Sequence, residues 1–348
     1  MFQLMKPTLL KLFLIIVAVI VIVAGVTFAG IQSGRKSLVS EVEEEAPVIE
    51  QAEEVTVKEK KKWQDGWVKL DGEIYEYNKN ILTFLIMGTD QHGVNTAQSG
   101  GLDGGQADVL SLLVLDPDKK RIEFIPINRN TMVDVDVYDA SGNITKSVKA
   151  QIAVQHGVGN GMEESCEYQV KTVSNLFYQL PIHGYVAMNM EGVVPLSKAV
   201  GGVDVTLPND FDAGNKKYKA GETVHLEGAD VMTFVRERDH EVGGADRRLE
   251  RQKVYMKALI SQMIKQIKEN PVSVTSIFKA VSKYVTTDIS TNEMVYLATL
   301  ASGYRYDGKS MHTIQGETVK GEQFDEFYCD EDALKKLVIE VFYEKVEE

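Results

Sequence analysis

No CxxC pair and no His/Cys cluster at metal-ligand spacing occurs in this 348-residue chain, and its two cysteines exclude a disulfide-dense scaffold. Positive charge is also scarce. Lys and Arg number 38 against 51 Asp and Glu, a net charge of −13, which argues against a protein that coats nucleic acid. There is no GxSxG elbow, no HExxH helix and no GxGxxG after a strand, so nucleophilic-serine, zincin and dinucleotide chemistry lack their signatures. The six histidines, at 92, 156, 183, 225, 240 and 312, are scattered. Only one long uncharged hydrophobic run is present, and no internal repeat.

That run is Leu12–Ile31, 20 residues without charge or proline. As a helix it spans about 30 Å, the thickness of a bilayer core, which predicts an anchor. A cleaved signal peptide is the competing reading, but a shorter apolar region and a small-x-small site would suit it better. Lys6 and Lys11 before the run balance Arg35 and Lys36 after it, so the positive-inside count leaves orientation open. Residues 32–62 hold seven Glu between Glu41 and Glu54 and then Lys58, Lys60, Lys61 and Lys62, the composition of a solvated stalk or an exposed helix. The charges before Trp63 cancel, so the whole −13 belongs to residues 63–348.

The expected organisation is a short N-terminus over 1–11, an anchor over 12–31, a charged stalk over 32–68 and one body over 69–348. Within the body Ile81–Met87 and Val109–Leu115 read as buried strands and Arg121–Ile127 as a third after the turn Asp116–Lys120. Helices are expected at Gln151–His156, Glu163–Leu180, Glu191–Val200, Gly228–Phe234, Asp246–Glu269, Val272–Val285, Asn292–Ser302 and Glu331–Glu344. Shorter strands are expected at Tyr185–Met188, Val203–Leu207 and Met311–Ile314. This mixture predicts an α/β body with a central sheet flanked by helices.

Nine of the basic residues are arginines, and five of them fall between Arg236 and Arg251: Arg236, Arg238, Arg247, Arg248 and Arg251. A guanidinium grips phosphate oxygens in pairs and stays charged when partly buried. On a helix Arg248, Arg251 and Gln252 share a face. A solvated helix surface laced with ion pairs explains the same window equally well. Asp90 follows the first strand and Asp108 precedes the second, so an antiparallel pair would bring both carboxylates to one sheet edge. Two carboxylates with phosphate oxygens and water are a usual ligand set for Mg²⁺; turn and cap aspartates are the plainer reading. The Gly-rich stretch 99–105 lacks a P-loop pattern and reads as a flexible loop. Arg129 would stand at a strand end, where α/β sheets place ligands. Cys166 and Cys329 either form one disulfide, if the body is exported, or remain free thiols.

The anchor, GTD at 88–90, QADVLSLLVLD at 106–116, INRNTM at 127–132, VGGVDV at 200–205, and LEGADVMTFVRERD followed by ADRRLERQ together resemble the LytR-CpsA-Psr family over about residues 75–265. The resemblance implies a mixed α/β/α sandwich with a hydrophobic pocket for a polyprenyl chain, carried outside the cytoplasm on a single-pass cell-membrane anchor. It implies a phosphotransferase that moves an anionic glycopolymer from an undecaprenyl-pyrophosphate carrier to a cell-wall acceptor such as peptidoglycan, with Mg²⁺ (or Mn²⁺). By motif, Asp90 and Asp108 resemble the metal-binding aspartates. Arg129, Arg236 and Arg238 resemble catalytic arginines, and Arg248, Arg251, Gln252 and Gln106 fall at pyrophosphate-binding positions. Gln106 stands where the family often has Arg, Asn130 replaces a motif acid, and Asp246 stands one residue nearer Arg248 than is common. A non-catalytic polyprenyl-phosphate or wall-polymer binding protein and a lipid pyrophosphate hydrolase are the alternatives.

Overall fold

The structure is a computed structural model that describes residues 33–34, 37–38, 45–50, 63–93, 95–97, 104–139, 141–212, 217–236, 244–307, 309–322 and 324–346. The apolar run Leu12–Ile31 lies outside these residues. Among the described residues no helix is long and apolar enough to cross a membrane.

The strands, in chain order, are β1 Trp67–Leu70, β2 Glu73–Tyr77, β3 Leu82–Thr89, β4 Ala107–Asp116, β5 Arg121–Ile127, β6 Met132–Tyr138, β7 Ile144–Gln151, β8 Tyr185–Asn189, β9 Val203–Thr206, β10 Phe211–Asp212, β11 Lys217–Tyr218, β12 Thr223–Leu226, β13 Val285–Thr287, β14 Gly316–Lys320, β15 Asp325–Cys329 and β16 Tyr343–Lys345. The helices are α1 Val154–Val158, α2 Glu163–Leu176, α3 Val193–Ala199, α4 Ala229–Arg236, α5 Gly244–Glu269, α6 Ser273–Val281, α7 Thr291–Ser302 and α8 Glu331–Phe342.

A five-stranded sheet, in the order β13-β8-β3-β4-β5, forms the centre. β3 runs parallel to β8 and antiparallel to β4, and β4 runs antiparallel to β5. The apolar runs fill it because a strand covered on both faces buries every side chain. Ile81, Leu85, Met87, Leu110, Leu112 and Val114 join Cys166 and Val173 of α2, Phe177 just after it, and Leu334, Val338 and Phe342 of α8 in one core. On the opposite face Leu82, Phe84, Leu115 and Ile122 meet Tyr304, with Ile264 of α5 and Leu297 and Leu300 of α7 against them. Period-2 alternation thus gives one sheet two cores, with helices on both faces. A third cluster joins α3, β9, α4, α5 and α6 through Leu196, Val203, Phe234, Leu259 and Ile277.

Local chemistry sets the ends. Asp116 Oδ1 accepts from the backbone N–H groups of Asp118 (3.0 Å) and Lys119 (2.8 Å), making the β4–β5 turn that the Asp-Pro-Asp sequence predicts. The helix expected over Glu163–Leu180 stops at Leu176, because Tyr178 and Gln179 adopt φ of +60° and +64°. The helix expected over Val272–Val285 ends at Val281, and the β-branched Val285–Thr287 instead pairs with β8. Gln151–His156 is divided between the end of β7 and the start of α1. The strand expected at Met311–Ile314 reduces to a bridge, with Ser310 O and His312 N bonded to Phe124.

The described part of the segment expected as a stalk lies against the body. Leu38 is buried in the α7 core, Ile49 is buried in the same core as Val68, and Val48 N donates to Tyr178 O at 2.6 Å. Cys166 is buried and Cys329 half-buried, and both are free thiols.

Candidate functional site

The end of the β3–β4 ladder carries the densest group of predicted site residues. β3 ends at Thr89, paired with Ala107, and one step further Asp90 N donates to Gln106 O at 3.0 Å. The reverse bond comes from Asp90's own side chain: Oδ1 accepts from the Gln106 N–H at 2.6 Å. Gln106 and Asp108 stand two apart on one strand direction, so they share a face, with buried Ala107 between them turned inward. Both carboxylates therefore lie at one sheet edge, as the antiparallel pairing required.

Arg129 reaches this edge from the loop between β5 and β6. Its Nη1 forms an ion pair with Asp108 Oδ1, and its Nη2 donates to Gln106 Oε1 at 2.5 Å. The planar fork thus spans Gln106, just ahead of β4, and Asp108 within it. The loop is held by Asn128 and Thr131: Thr131 Oγ1 donates to Asn128 O at 2.7 Å and Asn130 N to Asn128 Oδ1 at 3.0 Å. Gln106, a neutral amide, accepts from Arg129 through its side-chain oxygen.

Behind the edge, the end of the Gly-rich stretch is docked against α1. Gly104 approaches so closely that a Cβ there would sit 2.8 Å from the carbonyl oxygens of His156 and Gly159. His156 is buried, its Nδ1 lies 2.9 Å from Gly105 O, and its Nε2 lies 3.8 Å from Cys166 Sγ. Burial pushes the His156 pKa below its ordinary value, so the ring is a neutral wall behind Gly105.

The other arginine window takes a different place. Arg251 is 2% exposed. Its guanidinium lies 4.8 Å from the centroid of Phe211 and 6.0 Å from that of Phe234, its Nε donates to Phe234 O at 3.1 Å, and its Nη1 reaches Asn209 Oδ1 at 3.4 Å. Gln252 Nε2 donates to Val235 O at 2.9 Å. The last carbonyls of a helix lack intrahelical donors, and these two side chains supply them for α4. Arg251 and Gln252 thereby join α5 to the end of α4. Buried rings and carbonyls surround Arg251, which keeps it from solvent. Arg236 is the last residue of α4 and Arg248 belongs to α5, while Arg238 lies outside the described residues.

A cleft of about 500 Å³ is lined by Arg129 and Gln151 and by Lys320, Glu322, Phe324 and Asp325 of the β14–β15 hairpin. Sequence reasoning did not find it. Its one signal is Phe324, an aromatic among polar residues, which is 65% exposed.

Chemically, the edge offers two carboxylates, an amide and a guanidinium on one exposed face. Mg²⁺ takes one or two carboxylates and completes its shell with water and phosphate oxygens, and Asp90 and Asp108 fit that donor set. Among the described residues no three His, Cys, Asp or Glu side chains gather to form an all-protein cage.

The LytR_cpsA_psr family model matches residues 40–341. Over 271 residues the chain is 28% identical to the polyisoprenyl-teichoic acid–peptidoglycan teichoic acid transferase TagV of Bacillus subtilis, covering 76% of this chain and 64% of that protein. Over 181 residues it is 29% identical to the transferase TagU of Bacillus mycoides, covering 52% of each. The chain thus spans between about half and two thirds of the length of these curated relatives. The crystal structure of B. subtilis TagV matches with a TM-score of 0.54 at 27% identity, over 75% of this chain and 96% of that one. With the family match running from ahead of β1 to the last turn of α8, this chain belongs to the LytR-CpsA-Psr family.

Proposed function

We propose that this chain is a phosphotransferase that moves an anionic glycopolymer from a polyprenyl-pyrophosphate carrier to a cell-wall acceptor such as peptidoglycan. The observation that carries the reading is the edge itself: Arg129 is held by Asp108 and Gln106 beside Asp90, in a chain of this family. The transferases TagV and TagU, named for transfer of teichoic acid from polyisoprenyl to peptidoglycan, support the substrate class. The run Leu12–Ile31 supports attachment to the cell membrane, and a cell-wall acceptor calls for a body outside the cytoplasm.

Attack by an acceptor hydroxyl on the glycan-bearing phosphorus displaces the lipid phosphate, and negative charge grows on the oxygen that leaves. A guanidinium already fixed in place stabilises that charge without reorganising, which is where most of the barrier reduction in phosphoryl transfer arises. Arg129 is the group so placed, and Arg236, Arg238 and Arg248 are the further candidates for the phosphates. Arg251 and Gln252 act at one remove, by holding the end of α4 that carries Arg236. Asp90 and Asp108 would hold Mg²⁺ (or Mn²⁺), which neutralises charge on phosphate oxygens when bound.

The test incubates the full chain in detergent with a polyprenyl-pyrophosphate-linked glycan, Mg²⁺ and uncrosslinked peptidoglycan strands. Glycan attached to the strands is the expected product. Free glycan phosphate alone would reassign the chain as a hydrolase. No product with retained lipid binding would make it a binding protein and overturn the proposal.

A further inference from the structure

The geometry points to the cleft beside Arg129 as the subsite for the acceptor: an uncharged glycan strand lying between Gln151 and the β14–β15 hairpin, with Phe324 against a sugar ring. The inference rests on the transfer reading above and deepens it, since that reading leaves open where the acceptor sits.

Three observations carry it. The first is placement. Arg129 belongs both to the carboxylate edge and to the wall of the cleft, so a chain in the cleft lies next to the group assigned to the reacting phosphate. The second is construction. Phe327 N donates to Asn130 O at 2.9 Å, Thr131 and Phe327 form a bridge, and Gln151 Nε2 donates both to Asn130 Oδ1 (3.1 Å) and to Asp325 O (2.8 Å). These bonds tie the hairpin to the loop that carries Arg129. Gly321 N donates to Phe324 O at 2.9 Å, closing the tight turn that presents the ring. The third is chemistry. With Arg129 paired to Asp108, Lys320 stands against Glu322 and Asp325, so the lining holds no excess of positive charge yet is rich in donors and acceptors. A polyanionic donor glycan gains nothing from such a wall. A neutral polyhydroxyl chain finds hydrogen-bonding partners there, and the 65%-exposed ring of Phe324 offers an apolar plane to the C–H face of a sugar.

In the resulting step the acceptor hydroxyl oxygen bonds to the glycan-bearing phosphorus. The bond from that phosphorus to the bridging oxygen breaks, its electron pair stays on the bridging oxygen, and the hydroxyl proton departs on the released lipid phosphate.

The experiment compares the full chain with Phe324→Ala and Phe324→Tyr in two assays. One is equilibrium binding of soluble, uncrosslinked peptidoglycan glycan strands without donor. The other is transfer as a function of strand and of donor concentration. Truncating an anchoring ring costs at least about fivefold in affinity, so Phe324→Ala is expected to weaken strand binding and raise the half-saturating strand concentration by that factor. Half-saturation by donor stays unchanged, and Phe324→Tyr retains binding. Unchanged strand binding in Phe324→Ala overturns the assignment, and so does an effect confined to the donor. Failure of the transfer reading shows separately, as wild-type chain that binds strands yet makes no product, and the binding assay still decides the cleft.

Discussion

Arg129 Nη2 donates to Gln106 Oε1 at 2.5 Å, so an amide orients the guanidinium at the edge of the sheet. A neutral partner holds the arginine from one side while Asp108 holds it from the other.

Removing that guanidinium should remove most of the activity while sparing the fold. Arg129→Ala is expected to lower glycan transfer by about 10²–10³-fold, the range for one preorganised charge-stabilising donor. Arg129→Lys should recover little, since an ammonium cannot span both Gln106 and Asp108. Gln106→Ala should cost less, about tenfold, because Asp108 still holds the arginine. Transfer rates with unchanged circular dichroism check all three.

Chelation provides a second test. Under the proposed function EDTA abolishes transfer and added Mg²⁺ restores it. Asp90→Asn and Asp108→Asn should each weaken Mg²⁺ binding by at least about tenfold in calorimetric titration, since each removes a charged oxygen ligand. Unchanged Mg²⁺ affinity in both variants would remove these aspartates from the metal site.

Arg251 is expected to be a stability residue. Arg251→Ala leaves the Phe234 carbonyl without its side-chain donor, removes the guanidinium from Asn209 Oδ1 and opens a space beside Phe211, with an expected loss of about 3 kcal/mol in urea unfolding. Gln252→Ala should cost about 1 kcal/mol. Equal stability of Arg251→Ala and wild type would return Arg251 to the candidate phosphate ligands.

His183 sets an acid limit. Its Nδ1 accepts from Thr83 N–H at 3.1 Å, so the ring is neutral, and burial lowers its pKa to about 4 from 6.5. The unfolded chain then binds more protons between these values. Its contribution to stability is therefore full above about pH 6.5 and declines as pH falls toward 4. His183→Asn, whose amide oxygen can accept the same N–H, should flatten the slope of Tm against pH in that window.

How far the sequence foretold this molecule follows from burial. ILTFLIM, VLSLLVL and RIEFIPI are legible because the centre of a sheet needs continuous or alternating apolar residues, and their antiparallel order places Asp90 and Asp108 together. The β14–β15 hairpin is not legible, because Gly316–Lys320 is exposed throughout and carries no apolar alternation. β7 is hidden for the same reason. Arg251 shows a different limit. Spacing of three and four tells which residues share a helix face, but the direction of that face depends on Phe211 and Phe234, which arrive from elsewhere in the chain.

The carboxylate edge has one further consequence, which lies in its charge balance. Asp90 and Asp108 outnumber Arg129, so the described edge carries one net negative charge. A diphosphate approaching it alone meets repulsion, which a cation bound at the carboxylates removes. Cation and pyrophosphate should therefore bind as a coupled pair, and linkage makes the gain identical whichever is added first.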